Sequence, residues 1–172
     1  MINKAKYKSL LAQMESGNNY KKTNLIGALG KYQFMPATLN NLKSVYNLPN
    51  WYNANYFLIH PELQEIYIDA LINDSINFIE ANNFNKYFGL TISGSKRFKT
   101  ITAPLNIYGM LAAIHLSGSG NLKRFFDSGY DPNDGLTSLK DYLAYFSKNL
   151  SDGLNNFSLL LAFIPAIILY YL

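Results

Sequence analysis

The chain has 172 residues, of which 49% are hydrophobic, and a formal net charge of +4. This length suits one domain with a buried core and is too short for two full-sized domains. The basic residues are scattered, with Lys21-Lys22 and Lys96-Arg97 as the densest pairs, so the sequence does not predict nucleic-acid binding. The absence of cysteine excludes disulfides, thiol catalysis and thiolate metal sites.

The first predicted element is an amphipathic helix that ends near Gly17. Four apolar residues recur at the spacing of one helical face: Tyr7, Leu10, Leu11 and Met14. Glu15 then falls in the last turn, where the negative helix end and partial burial would both favour its protonated form. Such a group suits the general acid of glycosidic cleavage, although an ordinary surface glutamate is the alternative.

The next stretch, Asn18–Phe34, combines glycine, asparagine and aromatic residues in the manner of a small hairpin region. A second helix is predicted to begin at Pro36, with an apolar face formed by Leu39, Leu42 and Val45. Residues 48–55 read as a loop. No regular strand alternation competes with these predictions.

A third helix is predicted to begin at Pro61, because proline suits the first helical position. Glu62 and Glu65 complement the positive end of this helix, and that role explains both acids better than catalysis does. The stretch 82–102 is polar, and SGSKRFKT within it, residues 93–100, suggests a flexible connection.

Pro104 is predicted to open a further helix whose apolar residues surround most of its circumference, which indicates a central position. Ser138 and Asp141 have the spacing of a capping box, which predicts the start of another helix.

The C-terminal segment Phe157–Leu172 contains no charged residue and follows a polar linker, residues 151–156. A helix from Leu154 would be about 28 Å long, close to the roughly 30 Å of a bilayer core. Pro165 is tolerated better in a membrane helix than in a soluble one. We therefore expect a membrane-anchoring helix, with a buried closing helix as the alternative.

Two blocks of sequence resemble the lysozyme-like lytic transglycosylases. MESGNNY followed by GALGKYQFMPAT, residues 14–38, looks like the family's Glu-Ser-Gly and Gly-x-x-Gln signature. The block YGMLAAIHLSGSGNLKRFFDSG, residues 108–129, is similar to a later helix of phage-encoded members. The resemblance spans about residues 4–146 and implies a mainly helical, α+β lysozyme-like fold for a catalytic domain, residues 1–150.

The resemblance implies that Glu15 is the single catalytic acid and base. The implied substrate-binding residues are Ser16, Tyr32, Gln33, Phe34, Tyr108 and His115. Ser16 would support the geometry of Glu15, and Gln33 would face the sugar at the cleavage point. Tyr32 and Phe34 would line the glycan groove or pack in the core.

His115 stands where cellular family members carry a tyrosine, although a core histidine with satisfied hydrogen bonds is the alternative. His60 and His115 are too far apart in sequence for a helix-based zinc pair. The segment from Asp131 has the wrong glycine and glutamate positions for a calcium loop. No metal and no cofactor are expected.

The implied activity is cleavage of peptidoglycan with formation of a 1,6-anhydro product. A hydrolytic lysozyme is the nearest rival and would need a second acid, for which Asp69, Asp74 and Glu80 are candidates. An inactive, membrane-anchored wall-binding protein is a third possibility.

The N-terminus lacks the apolar run of a secretory signal. Together with the apolar tail and the phage-like block, this predicts an enzyme in the virion membrane of a membrane-containing bacteriophage, which opens the cell wall for genome entry. A lysis enzyme and a bacterial envelope enzyme are alternatives. The expected partners are peptidoglycan glycan strands, a lipid membrane through Leu154–Leu172, and virion proteins.

Overall fold

The computed structural model describes residues 2–94, 100–133 and 137–151. They form two compact units. The first unit is Lys4–Asn83, and the second combines Ile2 and Asn3 with the described residues from Phe84 onward. The chain therefore leaves the second unit after Asn3 and returns to it at Phe84.

The first unit is helical. Its helices are α1 (Lys4–Ser16), α2 (Pro36–Tyr46), α3 (Ala54–Ile59) and α4 (Pro61–Ala81). Its fully buried large side chains are Tyr7, Leu11, Tyr32, Phe34, Leu39, Leu42, Phe57, Tyr67 and Ile68. Of the predicted apolar faces of α1 and α2, this core contains Tyr7, Leu11, Leu39 and Leu42. Leu10 and Met14 are partly buried, and Val45 is 61% exposed.

The predicted helix boundaries in this unit are largely confirmed. Gly17, with a φ of +67°, follows the end of α1, and Pro36 and Pro61 begin α2 and α4. The predicted loop 48–55 is wrong at its end, because Asn53 caps α3 by accepting a hydrogen bond from the Tyr56 backbone N–H at 3.0 Å.

The second unit contains a short 3₁₀ helix (Phe84–Tyr87), two strands and three helices. The strands are β1 (Thr91–Gly94) and β2 (Ile101–Pro104), and the helices are α5 (Ile107–Ser117), α6 (Ser119–Ser128) and α7 (Leu139–Asn149). The strands pair antiparallel, with Thr91 opposite Pro104 and Gly94 opposite Ile101. Helix α7 packs against both strands and against α5.

Helix α5 is central to the second unit, as predicted, because every residue from Tyr108 to Ile114 is buried. Asn106 caps it, and the same side chain donates hydrogen bonds to the Ser147 and Leu150 carbonyls at 3.0 and 2.8 Å. One buried amide therefore joins the start of α5 to the end of α7. The predicted capping box of α7, Ser138 with Asp141, is confirmed.

One boundary prediction in this unit is wrong. Pro104 ends β2, and α5 begins three residues later at Ile107. The polar stretch 82–102 contains the 3₁₀ helix, all of β1 and the start of β2, so it is structured at both ends. Residues 95–99, most of the predicted flexible connection 93–100, lie outside the described residues. The mainly helical fold class with a small β region is confirmed. The predicted hairpin stretch Asn18–Phe34 forms isolated antiparallel bridges, whereas the regular ladder joins β1 and β2.

The predicted membrane anchor, Phe157–Leu172, and most of the predicted linker lie outside the described residues. Within the described ranges, no helix combines the length and the apolar character needed to cross a bilayer.

Candidate active site

Glu15 and Ser16 form the C-terminal end of α1, in the first unit. Glu15 lies in the last turn, as predicted, and is partly buried. Ser16 is buried, and its hydroxyl donates a hydrogen bond to the Lys31 carbonyl at 2.7 Å and accepts one from the Asn19 backbone N–H at 2.9 Å. Ser16 therefore ties the end of the helix that carries Glu15 to the segment that carries Gln33.

The Gly-x-x-Gln segment, residues 30–33, is a tight loop closed by paired backbone hydrogen bonds. Leu29 and Phe34 exchange N–H···O bonds of 2.9 Å across its base. Gly30 has a φ of +75°, and a Cβ at this position would lie 2.1 Å from the Gln64 side-chain oxygen. Only glycine combines this backbone conformation with this close approach. The glycine of the motif is thus required by packing against α4.

The Gln33 side chain is folded onto its own loop. Its Nε2 donates to the Gly30 carbonyl at 2.8 Å and, at 3.3 Å, to the Lys22 carbonyl. Gln33 is partly buried and has a φ of +50°. Both N–H groups of the Gln33 amide are already used, because Nε2 has two carbonyl acceptors. The side-chain oxygen is therefore the atom suited to accept a hydrogen bond from a sugar hydroxyl.

Tyr32 and Phe34, on either side of Gln33, are 0% and 1% exposed. Their rings pack edge to face with centroids 6.3 Å apart, and Phe34 packs likewise on Phe57 at 6.1 Å. This burial favours core packing over glycan contact for both side chains.

Gln64, a residue that the sequence interpretation missed, holds the loop from α4. Its side-chain oxygen accepts the Lys31 backbone N–H at 2.7 Å, and its Nε2 donates to the Tyr20 and Phe57 carbonyls at 3.0 Å each. Gln64 is fully buried, and both its side-chain oxygen and its side-chain nitrogen have hydrogen-bond partners. A polar residue on the same face of α4 as Tyr67 and Ile68 was the signal available in the sequence.

Glu65 is the centre of a polar cluster that the sequence interpretation also missed. Its carboxylate lies 2.9 Å from the ammonium groups of both Lys8 and Lys31. It also accepts hydrogen bonds from the Tyr20 and Tyr32 hydroxyls at 2.8 and 2.9 Å. One carboxylate from α4 thus joins Lys8 of α1 to Lys31 and Tyr32 of the Gly-x-x-Gln loop and to Tyr20, which precedes that loop. The interpretation of Glu65 as only a helix-terminus residue was incomplete.

These contacts set the charge states of the cluster. Partial burial raises the pKa of Glu65, but the hydrogen bonds from Lys31, Lys8 and the two tyrosines outweigh it and lower the pKa to about 2. For Lys31, desolvation is outweighed in the same way, so its pKa is raised. Burial, followed by the hydrogen bond to Glu65, raises the pKa of Tyr32. Glu65 is therefore ionised at neutral pH and cannot act as a proton donor there.

The other predicted site residues, Tyr108 and His115, lie on α5 in the second unit. Tyr108 is 2% exposed, and its hydroxyl accepts the Asn3 backbone N–H at 2.7 Å. This burial favours a structural role for Tyr108. His115 lies in the last turn of α5 and is partly buried.

The three candidates for a second acid all lie on α4. Asp69 is 3.1 Å from the Lys8 ammonium group, and Asp74 accepts the Tyr46 hydroxyl at 2.5 Å. Glu80 is exposed near the end of the helix. Two of the three carboxylates are therefore already engaged by side chains of their own unit.

No protein-family model and no curated protein sequence matches the chain. Among solved structures, it is similar to the 70 kDa soluble lytic transglycosylase SLT70 from Escherichia coli, with a TM-score of 0.51 and 18% sequence identity. The match covers 74% of this chain and 16% of that enzyme's chain. This likeness concerns the fold alone, and it confirms the predicted lysozyme-like fold class.

Proposed function

We propose that the protein is a peptidoglycan lytic transglycosylase that acts through Glu15. The observation that carries the proposal is the hydrogen bond from Ser16 to the Lys31 carbonyl, which fixes the Glu-Ser-Gly helix end to the Gly-x-x-Gln loop. The likeness of the fold to a lytic transglycosylase supports the same class of reaction. Glu65 is bonded to four side chains, but its low pKa leaves Glu15 as the preferred proton donor.

In the proposed reaction, the Glu15 carboxyl group gives its proton to the oxygen between N-acetylmuramic acid and N-acetylglucosamine. The bond from C1 to that oxygen breaks, and the substrate's N-acetyl oxygen stabilises the positive charge at C1. The Glu15 carboxylate then takes the proton of the C6 hydroxyl, whose oxygen bonds to C1. The proton returns to Glu15, and no water is consumed.

The test is mass spectrometry of purified peptidoglycan digested with the full chain. Muropeptides lighter than hydrolytic products by one water, and absent with Glu15→Gln, are expected. Glu62→Gln is the matched control, since it removes an exposed carboxylate at the start of α4 and should leave product release unchanged. Products of hydrolytic mass would instead identify a lysozyme. No products from a folded chain would favour the inactive wall-binding protein.

We also propose that the enzyme is phage-type and acts from a membrane, in the virion of a membrane-containing bacteriophage. The support is in the sequence: the phage-like block at residues 108–129 and the uncharged segment Phe157–Leu172. Fractionation of cells that produce the full chain tests the membrane part, with a chain ending at residue 150 as the comparison. Equal recovery of both chains in the soluble fraction would overturn it, and immunolabelling of purified virions tests the remainder.

A further inference from the structure

The turn Asn24–Gly27 in the first unit exposes two adjacent aliphatic side chains. Leu25 has 107% of its reference exposure and Ile26 has 75%. In the described part of the chain, no other two large, exposed apolar residues are neighbours in sequence. Removing such side chains from water is favourable, and exposed apolar patches mark interaction sites on soluble domains. Their exposure here therefore indicates a binding partner that covers them.

The exposure does not come from a lack of local structure. The Asn24 side-chain oxygen accepts hydrogen bonds from the Ile26 and Ala28 backbone N–H groups at 3.1 and 2.9 Å. The Gly27 N–H donates to the Asn24 carbonyl at 3.1 Å, and the Asn24 N–H donates to the Ala28 carbonyl at 3.3 Å. An asparagine-centred turn thus holds the aliphatic pair in a defined position, directed away from the core.

Two lysines precede this pair in the same segment. Lys21 and Lys22 are exposed, and among the described residues no carboxylate lies within 4.0 Å of either ammonium group. We call Lys21, Lys22, Leu25 and Ile26 the apolar tip. Exposed aliphatic side chains that follow two exposed lysines, with no carboxylate partner among the described residues, match the boundary between the acyl chains and the phosphates of an anionic bilayer.

We propose that the apolar tip docks on the surface of an anionic phospholipid bilayer. Leu25 and Ile26 enter the boundary between headgroups and acyl chains, while the lysines contact lipid phosphates. The proposal does not depend on catalysis or on the predicted C-terminal anchor. The tip belongs to the same segment as the candidate site, since the Lys22 carbonyl accepts the Gly30 N–H at 2.7 Å. Docking would therefore bring the Gly-x-x-Gln loop to the membrane face of the wall.

The absence of cysteine allows a test that reports on one position of the full chain. Leu25→Cys is labelled with an environment-sensitive fluorophore and mixed with phosphatidylglycerol vesicles that carry spin labels on their acyl chains. Val45→Cys, on α2, is the matched control because Val45 is also aliphatic and 61% exposed. We expect a blue shift and quenching of the label at position 25 and neither change at position 45.

Removing both lysine charges gives the expected magnitude. Each lysine near an anionic surface is worth about a fivefold change in binding. Lys21→Gln with Lys22→Gln should therefore lower the ratio of docked to undocked label about 25-fold at one fixed vesicle concentration below saturation. Phosphatidylcholine vesicles should give the same loss.

Several results would overturn the proposal. A label at position 25 that keeps its aqueous spectrum on anionic vesicles would exclude docking. Equal quenching at positions 25 and 45 would assign the insertion to the fluorophore. A blue shift that grows with protein concentration before vesicles are added would show a second copy as the partner, and a response to glycan strands alone would show a wall contact.

Discussion

Replacement of Glu65 by glutamine should destabilise the protein by an amount that depends on pH. Glutamine keeps the shape of the side chain but removes the charge that faces Lys8 and Lys31. The difference between the ordinary pKa of 4.5 and the value of about 2 corresponds to about 3.4 kcal/mol at neutral pH. Because 31% of the side chain is exposed, solvent screening reduces this to about 1.5 kcal/mol.

The sign of the pH dependence follows from the direction of the shift. The folded pKa of Glu65 lies below the unfolded value, so its contribution is present above about pH 4.5 and is lost as the pH falls toward 2. Urea unfolding followed by circular dichroism should therefore show a Glu65→Gln deficit at neutral pH that shrinks to less than half by about pH 3.

Glu62→Gln is the matched control, since Glu62 is an exposed carboxylate on the same helix. It should change the free energy of unfolding by no more than about 0.5 kcal/mol. A Glu65→Gln deficit as small as that of the control would refute the reasoning. A deficit that stays constant between neutral pH and about pH 3 would show that packing, not charge, is responsible.

The remaining predictions concern single contacts. Gly30→Ala should lower the free energy of unfolding by about 3 kcal/mol or more, whereas Gly27→Ala, with a φ of +85° and open space around it, should cost about 1 kcal/mol; thermal melts of both variants measure the contrast. Ser16→Ala should cost about 1–2 kcal/mol and reduce muropeptide release, because the partly buried Lys31 carbonyl loses its side-chain donor. In urea titrations, Asn106→Ala should cost about 2–4 kcal/mol, and Asn53→Ala, an exposed cap, about 1 kcal/mol; equal costs would contradict the bridging role of Asn106.

The helices were largely predictable because their signals are local. Pro36 and Pro61 mark two starts, Gly17 marks an end, and Ser138 with Asp141 forms a capping box. Helix α6 was not predicted as a separate element, although Gly118 separates it from α5.

The strands could not be predicted by the same means. Each is four residues long, and only Ile92 and Gly94 are buried in β1. A single buried aliphatic residue, Ile92, does not produce a recognisable alternation of apolar and polar residues in β1. Strand β1 is held by pairing with β2 and by packing against α7, and those contacts are not local in sequence.

The residues of the candidate site also fall into those that a local motif predicts and those that depend on distant contacts. Glu15, Ser16 and Gln33 could be proposed from a short motif, and their catalytic and binding roles stay predictions. Gln64 and Glu65 could not, because all their partners except the Phe57 carbonyl lie more than twenty residues away along the chain. A periodic pattern places Glu65 near a helix start, but only the folded chain brings Lys8 and Lys31 to it.

The close approach of Gly30 to Gln64 also constrains how this chain can vary in evolution. The two positions share one volume, since any Cβ at position 30 would overlap the Gln64 amide. Substitutions at these positions should therefore occur together: a relative with a larger residue at position 30 should carry a shorter one at position 64. Such a pair would lose the acceptor for the Lys31 N–H, so both positions should vary less than Thr23 or Ser44, which are exposed in the same unit.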